Sequence, residues 1–246
     1  MSRLLVLTND SGRPSANSLG FPVYDNYEAE DLFEPDVCVL RWGSSELAGD
    51  GRGQEYDNVL NPRRAIKKNT DKLRALSALK MAVNVPQTFR ERITAGVKAI
   101  IRPISHSRGE GLFYVTGPAR VPADHYGIES IENTREFRVW FTPDDILGAE
   151  RVPIATSVDR SSMCPNRADW GYSFTELSDE FVAEVRRAAA IIGLHVGAAD
   201  VLKTRDGKRV FLELNSCPSL DHVRVRTFFI NSLNRMVRST TTEEEE

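Results

Sequence analysis

The sequence predicts an α+β fold whose N-terminal part is α/β. Three observations lead there. Asp200, Glu213 and Asn215 fall on one β-hairpin, centred on Asp206-Gly207. Ser178–Ile192 carries Phe181, Val182, Val185, Ala188, Ala189 and Ile192 as one apolar helical stripe, with Gly193 placed as C-terminal cap. Arg3–Leu7 and Val37–Arg41 read as short buried strands near the start, and strands and helices mix along the rest of the chain.

In chain order, Ser11–Ser18 is polar with Gly and Pro and reads as a loop, as does the acidic, Gly-rich Gly43–Gly53. Thr70–Met81 reads as a helix capped by Asn69 or Thr70, with Leu73, Leu76, Leu79 and Lys80 at helical spacing. Pro86 holds its predecessor extended and ends that helical stretch. Lys98–Pro103 and Gly111–Thr116 read as strands joined by a Gly-containing loop, and Tyr126–Ile131 and Glu136–Thr142 as two more. Thr227–Val237 reads as the final helix, and the low-complexity Thr240–Glu246 as a disordered tail.

The chain has 246 residues, enough for one large domain or two or three small ones around a substantial core. It is 41% hydrophobic and 27% charged, as in an ordinary globular protein. No apolar run reaches the length of a membrane span, and the N-terminal apolar stretch reads as a first strand. Cys38, Cys164 and Cys217 match no zinc or disulfide pattern, which points to a reducing, cytoplasmic setting. A net charge of −3 with no basic stripe argues against nucleic-acid binding.

The hairpin carries the chemistry. With Asp206-Gly207 as a two-residue type I′ turn, Arg205 pairs with Lys208 and the ladder sets Asp200 opposite Glu213. Alternation puts Asn215 on the face of Glu213. Two opposed carboxylates repel, so a positive group is expected between them. Two carboxylates and an amide oxygen suit a hard cation, Mg²⁺ or Mn²⁺. A merely solvated acidic face fits poorly, because Val201, Leu202, Phe211, Leu212 and Leu214 flank it.

The segments Thr70-Asp-Lys-Leu-Arg with Asn84-Val-Pro-Gln-Thr88, Ala99 through Gly111, Glu129 through Arg138, Gly197-Ala-Ala-Asp200 and Phe211 through Pro218 together resemble the ATP-grasp superfamily. The likeness covers roughly residues 58–222. Arg41-Trp-Gly43 and Asn61-Pro62 are similar to the short RimK-like members often carried by bacteria and phages. The resemblance implies two α+β subdomains clamping ATP after a small α/β region. The expected boundaries are 1–57, 58–132 with a phosphate lid, 133–238 with the metal site, and an acidic tail at 239–246.

Residue by residue, the resemblance makes Lys72 and Arg102 phosphate contacts, with Arg102 standing where the family usually has lysine. Ser105, Ser107, Gly109 and Gly111 would belong to the lid, with His106 and Arg108 beside them. Glu129 and Ile131 match the adenine hinge. Glu136 would accept the ribose hydroxyls, with Glu132 as competitor. Arg138 would point at the transferring phosphoryl group. Asp200, Glu213 and Asn215 would hold two Mg²⁺ ions. Arg160 and Arg167 would bind a substrate carboxylate, with Asn166, Asp169, Trp170 and Gly171 nearby. The implied reaction is ATP-dependent carboxylate–amine ligation through an acyl phosphate. Its substrate would be an amino acid, a peptide or a protein C-terminus, with glutamate addition the favoured form; the tail Glu243–Glu246 reads first as a solvated tail, and otherwise as a self-modified substrate or a product mimic. A kinase sharing the nucleotide clamp and a non-catalytic ATP-binding protein are the alternatives. A homo-oligomer is compatible with an N-terminal cap that needs its sheet edge covered.

Overall fold

The computed structural model of the chain describes residues 3–25, 37–44, 58–104, 111–153 and 170–242. In chain order these form β1 (Arg3–Thr8), α1 (Arg13–Asn17), β2 (Val23–Asp25), β3 (Val37–Trp42), β4 (Val59–Leu60), α2 (Arg63–Thr70) and α3 (Lys72–Leu79). Next come β5 (Thr88–Phe89), β6 (Arg92–Ile93), β7 (Lys98–Pro103), β8 (Phe113–Thr116), β9 (Ala119–Arg120) and β10 (His125–Glu129). The rest comprises β11 (Asn133–Phe141), β12 (Ile146–Pro153), β13 (Trp170–Thr175), α4 (Asp179–Ile192), β14 (Gly197–Thr204), β15 (Arg209–Asn215) and α5 (Val223–Thr242). Among the described residues no helix is long and apolar enough to cross a membrane.

Three main sheets result. β2-β1-β3-β4 is parallel, β5-β10-β7-β8 is antiparallel, and β13-β12-β11-β14-β15 is antiparallel. β1 is central and buried on both faces. Leu4 and Val6 join one core cluster, and Leu5 and Leu7 another. That is why Arg3–Leu7 reads as a nearly continuous apolar run.

The five-stranded sheet positions the site. Its helix-covered face presents Phe137, Val139, Phe141, Ala199, Val201, Phe211 and Leu214 to α2, α3 and α4. α4 forms as expected: Ser178 accepts from the Phe181 N–H, and Gly193 at φ 90° closes the C-terminus. The opposite face carries Trp140, Ala149 and Ala198, which share a core with β1, β3 and α5. The first sheet and the largest sheet therefore pack together. α2 and α3 fall inside the expected 58–132 subdomain, yet Ala65, Ile66, Ala75 and Leu79 pack on the large sheet.

Several expectations need correction. Ser11–Ser18 holds a short helix, α1, which Pro14 suits because its first turn needs no N–H from that residue. The helix expected over Thr70–Met81 is α3, Lys72–Leu79, and a helix not read from the sequence, α2, ends at Thr70, with the extended Asp71 between the two. Asp71, rather than Asn69 or Thr70, is the cap: its side chain accepts from the Arg74 N–H. Asn69 instead donates to the Leu214 carbonyl at 2.9 Å. The strand expected to reach Ile131 ends at Glu129, and the next begins at Asn133. α5 is longer than Thr227–Val237 and runs through Thr242, so Thr240–Thr242 are helical. Glu243–Glu246 lie outside the described residues.

Asn61 ties the first sheet to the largest. It is fully buried at φ 59°. Its side chain donates to Val196 O at 2.8 Å and Arg41 O at 3.3 Å, and accepts from the His195 and Val196 N–H groups at 2.9 Å each. Its own N–H donates to His195 Nδ1 at 3.1 Å, which requires a neutral ring nitrogen. Burial holds the His195 pKa below its ordinary value of 6.5. A His lowered on folding contributes stability that is complete above the unfolded pKa and is lost as pH falls below it. Unfolding free energy is therefore expected to drop on acidification below pH 6.5, and His195→Gln should flatten that segment of the curve. An unchanged pH profile in His195→Gln denaturant titrations would contradict this.

Candidate active site

The β14–β15 hairpin brings Asp200 and Glu213 directly opposite, with Asn215 opposite Ala198. The turn is not the expected two-residue one. Thr204 N–H donates to Lys208 O, Gly207 N–H donates to Thr204 O, and only Gly207 of the loop has positive φ (83°). That is a three-residue loop closed by a left-handed glycine. It shifts the ladder by one residue, so Lys203 pairs with Arg209 and Val201 with Phe211. A bulge between Asp200 and Val201 then restores the register. The bulge also lets Phe211 and Leu214 share the core face while Glu213 turns to the other side.

Asn215 Nδ2 stands 3.4 Å from Asp200 Oδ2 and 3.4 Å from Glu213 Oε1. The expected positive groups are present on several sides. Lys72, at the first position of α3, places Nζ 3.2 Å from Glu213 Oε2. Arg138 on β11 pairs in register with Asp200 and has Nη1 3.7 Å from Asp200 Oδ1. Arg102 on β7 lies across from Tyr126 on β10, hydrogen-bonds it, and acts on Glu213 through space. Burial alone would raise the Glu213 pKa, but the Lys72 ammonium and the Arg102 guanidinium overcome it and hold the carboxyl down at about 2. Burial pushes the Tyr126 hydroxyl up.

Arg151 was not expected here. It sits on β12, is 5% exposed, and donates from Nη1 to Glu136 Oε1 at 2.5 Å and from Nη2 to Asp200 Oδ1 at 3.2 Å. Burial opposes its charge, but Asp200 and Glu136 hold its pKa above the usual arginine value. Burial raises the Glu136 pKa although Arg151 pulls it down. Thr142-Pro-Asp-Asp145 signals only the turn that leads into the strand carrying Arg151. It is a turn in which Thr142 N–H donates to Asp145 O, and it folds β12 back on β11.

No family model and no curated protein matches the sequence. Solved structures do match its fold. PsnB, an ATP-grasp ligase complexed with minimal precursor, Mg and ADP, is 16% identical with a TM-score of 0.65, covering 96% of this chain and 98% of that one. The macrocyclase MdnC from Microcystis aeruginosa MRC, bound with precursor peptide MdnA, is 13% identical with a TM-score of 0.53, covering 88% and 92%. A Chryseobacterium gregarium RiPP-associated ATP-grasp ligase, in complex with ADP and a leader and core peptide, is 13% identical with a TM-score of 0.55, covering 97% and 95%. The chain has the ATP-grasp fold.

Within this ATP-grasp frame the structure gathers Lys72, Arg102, Glu136, Arg138, Asp200, Glu213 and Asn215 around one cluster. Glu136, the expected diol acceptor, accepts from Arg151 through Oε1. The competing Glu132 pairs with Lys98 at 3.6 Å on the surface. Glu129 turns its carboxylate to the Gln87 N–H at 3.2 Å, and Ile131 lies half-buried in the link from β10 to β11. Gly111 precedes β8 at φ 69°, and a Cβ there would stand 3.1 Å from Pro103 Cγ. Ser105, His106, Ser107, Arg108, Gly109, Arg160, Asn166, Arg167 and Asp169 lie outside the described residues, while Trp170 and Gly171 open β13.

The donor set fits a hard cation. Among the described residues no group of three or more His, Cys, Asp or Glu is arranged to hold a metal. Asp200, Glu213 and Asn215 instead offer two carboxylates and a carboxamide, and the Asn215 amide already sits at the point both carboxylates face. The opposite amide orientation would present an oxygen there, giving the all-oxygen set that Mg²⁺ takes. A cleft of about 380 Å³ opens beside Lys72, lined by Lys67, Thr70, Asp71, Leu73, Ile104 and Tyr126.

Proposed function

We propose that this chain is an ATP- and Mg²⁺-dependent ligase that joins a carboxylate of a peptide to an amine through an acyl phosphate. The observation that carries this reading is the meeting of Asp200, Glu213 and Asn215 with Lys72, Arg102 and Arg138 in an ATP-grasp fold. The names of the similar proteins, ligases and a macrocyclase in complex with precursor, leader or core peptides, support a peptide as substrate.

Asp200, Glu213 and Asn215 would hold Mg²⁺, which would supply neutralising positive charge to the triphosphate. Lys72 and Arg102 draw the phosphates into place. Arg138 faces the charge that builds on the transferring phosphoryl group. A substrate carboxylate oxygen bonds to the γ-phosphorus as the bond to ADP breaks. An amine nitrogen then attacks the acyl carbon, phosphate leaves, and the nitrogen loses a proton. No side-chain nucleophile takes part. Burial pushes the Cys217 thiol up to about 11, which leaves it unsuited to that role. Arg160 and Arg167 are assigned to the substrate carboxylate.

The test incubates the protein with ATP, Mg²⁺, free glutamate and synthetic peptides carrying acidic and lysine side chains. The expected result is ADP release with a peptide lighter by one water. A peptide heavier by one glutamate residue would select the narrower, RimK-like chemistry. A phosphorylated peptide would select a kinase. Calorimetry with no Mg²⁺-dependent nucleotide uptake would remove the reading altogether.

A further inference from the structure

Arg102 stands where the resemblance expects a lysine, and a buried hydroxyl stands beside it. Resting on the nucleotide reading above, we propose that Tyr126 is a positioning residue: its hydroxyl holds the Arg102 guanidinium at the phosphate cleft, so that nucleotide affinity depends on a tyrosine that acts only through its neighbour.

The strand pairing puts the two together. Arg102 on β7 lies directly opposite Tyr126 on β10, as Ile100 lies opposite Ile128. Directly paired side chains leave an antiparallel sheet on the same side. On that side Tyr126 packs with Leu76, Ile100 and Ile128 and is 1% exposed. Packing therefore fixes the ring, and with it the position of the oxygen. Arg102 hydrogen-bonds that oxygen. The Arg102 Nε–H is buried with no acceptor among the described residues, so the bond to Tyr126 comes from a terminal nitrogen.

Arg102 has a competing neighbour. It helps Lys72 hold the Glu213 carboxyl down at about 2. A guanidinium closing fork-to-fork on a carboxylate would commit the donors that a phosphate needs. Lys72 already stands 3.2 Å from Glu213 Oε2, so Glu213 keeps a counter-charge while Tyr126 engages one arm of the fork. Burial pushes the Tyr126 hydroxyl up, so the oxygen is uncharged at neutral pH. It accepts from Arg102 without cancelling the positive charge offered to phosphates. Tyr126 also lines the cleft of about 380 Å³ with Lys72 and Ile104, which anchors the guanidinium at its wall. A lysine has one compact head on a flexible stem, whereas a planar fork must be oriented to make its paired contacts.

The experiment is a double-mutant cycle on ADP binding, measured by calorimetry at saturating Mg²⁺ in wild type, Tyr126→Phe, Arg102→Met and the double variant. Tyr126→Phe keeps the ring that packs on Leu76, Ile100 and Ile128, and thermal unfolding verifies its fold. It is expected to weaken ADP binding about tenfold, in line with one hydrogen bond to a charged group. The KM for ATP should rise by a like factor, with kcat kept within about twofold. In the Arg102→Met background the same substitution should change ADP affinity by less than about twofold. Wild-type ADP affinity in Tyr126→Phe would overturn the inference while leaving the ligase reading intact. A loss that persists in Arg102→Met would overturn it equally, since Tyr126 would then touch the nucleotide itself. A Tyr126→Phe chain that does not fold would also overturn it, because the hydroxyl would then hold the fold rather than Arg102. No Mg²⁺-dependent ADP binding by the wild type would instead count against the ATP-dependent reading itself.

Discussion

Arg138→Met is expected to lower kcat by on the order of 10²–10³-fold, with nucleotide affinity changed far less. Arg138 projects from the centre of β11 on the site face, opposite Asp200 in register. Its closest approach to Asp200 is 3.7 Å, too long for a strong hydrogen bond. Most of its five donors are therefore not committed to Asp200. Asp200 keeps a counter-charge without it, because Arg151 stands at 3.2 Å. Removing Arg138 should then leave the apo fold close to wild-type stability while depriving the transferring phosphoryl group of a charge. An arginine facing that group contributes mainly in the transition state, so the loss falls on kcat. Arg138→Lys should recover only part, since an ammonium cannot make the forked contact. Steady-state ADP release with calorimetry of ADP and Mg²⁺ checks this. Equal losses in kcat and affinity would make Arg138 a ground-state anchor instead.

The hairpin shows how far strand alternation alone reveals such a site. Asp200 opposite Glu213 follows from alternation around a turn at Asp206-Gly207, and the folded hairpin keeps that pairing. It gets there by two compensating one-residue shifts, a longer loop and a bulge, and neither is visible in the local sequence. The bulge answers to tertiary packing: Phe211 is fully buried against the helices while Glu213 must face the cations. Lys72 is legible because it opens a helix, although Asp71 rather than its neighbours caps it. Arg151 is not, because no strand is read where β12 runs, and the groups that make it matter, Glu136 and Asp200, are distant in sequence. α1 is hidden for a similar reason. Ser, Gly and Pro favour loops locally, but here Pro14 opens a turn of helix under Trp42, whose Nε1–H donates to Ser15 Oγ at 2.8 Å.

Asn61→Ala is expected to destabilise the fold by about 3–4 kcal/mol, although no substrate is expected to touch the residue. The reasoning is an inventory of what alanine leaves behind. Val196 O loses a donor at 2.8 Å, and the His195 and Val196 N–H groups lose the acceptor they share at 2.9 Å. A buried group left unpaired costs about 1–3 kcal/mol, with partial relaxation expected here. Alanine must also hold φ near 59°, a left-handed backbone that costs a non-glycine residue roughly 1–2 kcal/mol and that asparagine tolerates better. Asn61→Gly separates the two contributions, because it removes the side-chain bonds while accepting the backbone. Glycine should therefore be less damaging than alanine by about 1 kcal/mol, after allowance for its looser unfolded chain. For a chain of this length the alanine loss corresponds to a Tm lower by roughly 6–16 °C. Guanidinium titrations of the three proteins with a common m-value would measure it. A loss under about 1 kcal/mol for alanine would mean that the link from β3 to the large sheet rests on the shared apolar core of Leu40, Trp42, Val196 and Ala198, and not on this buried amide.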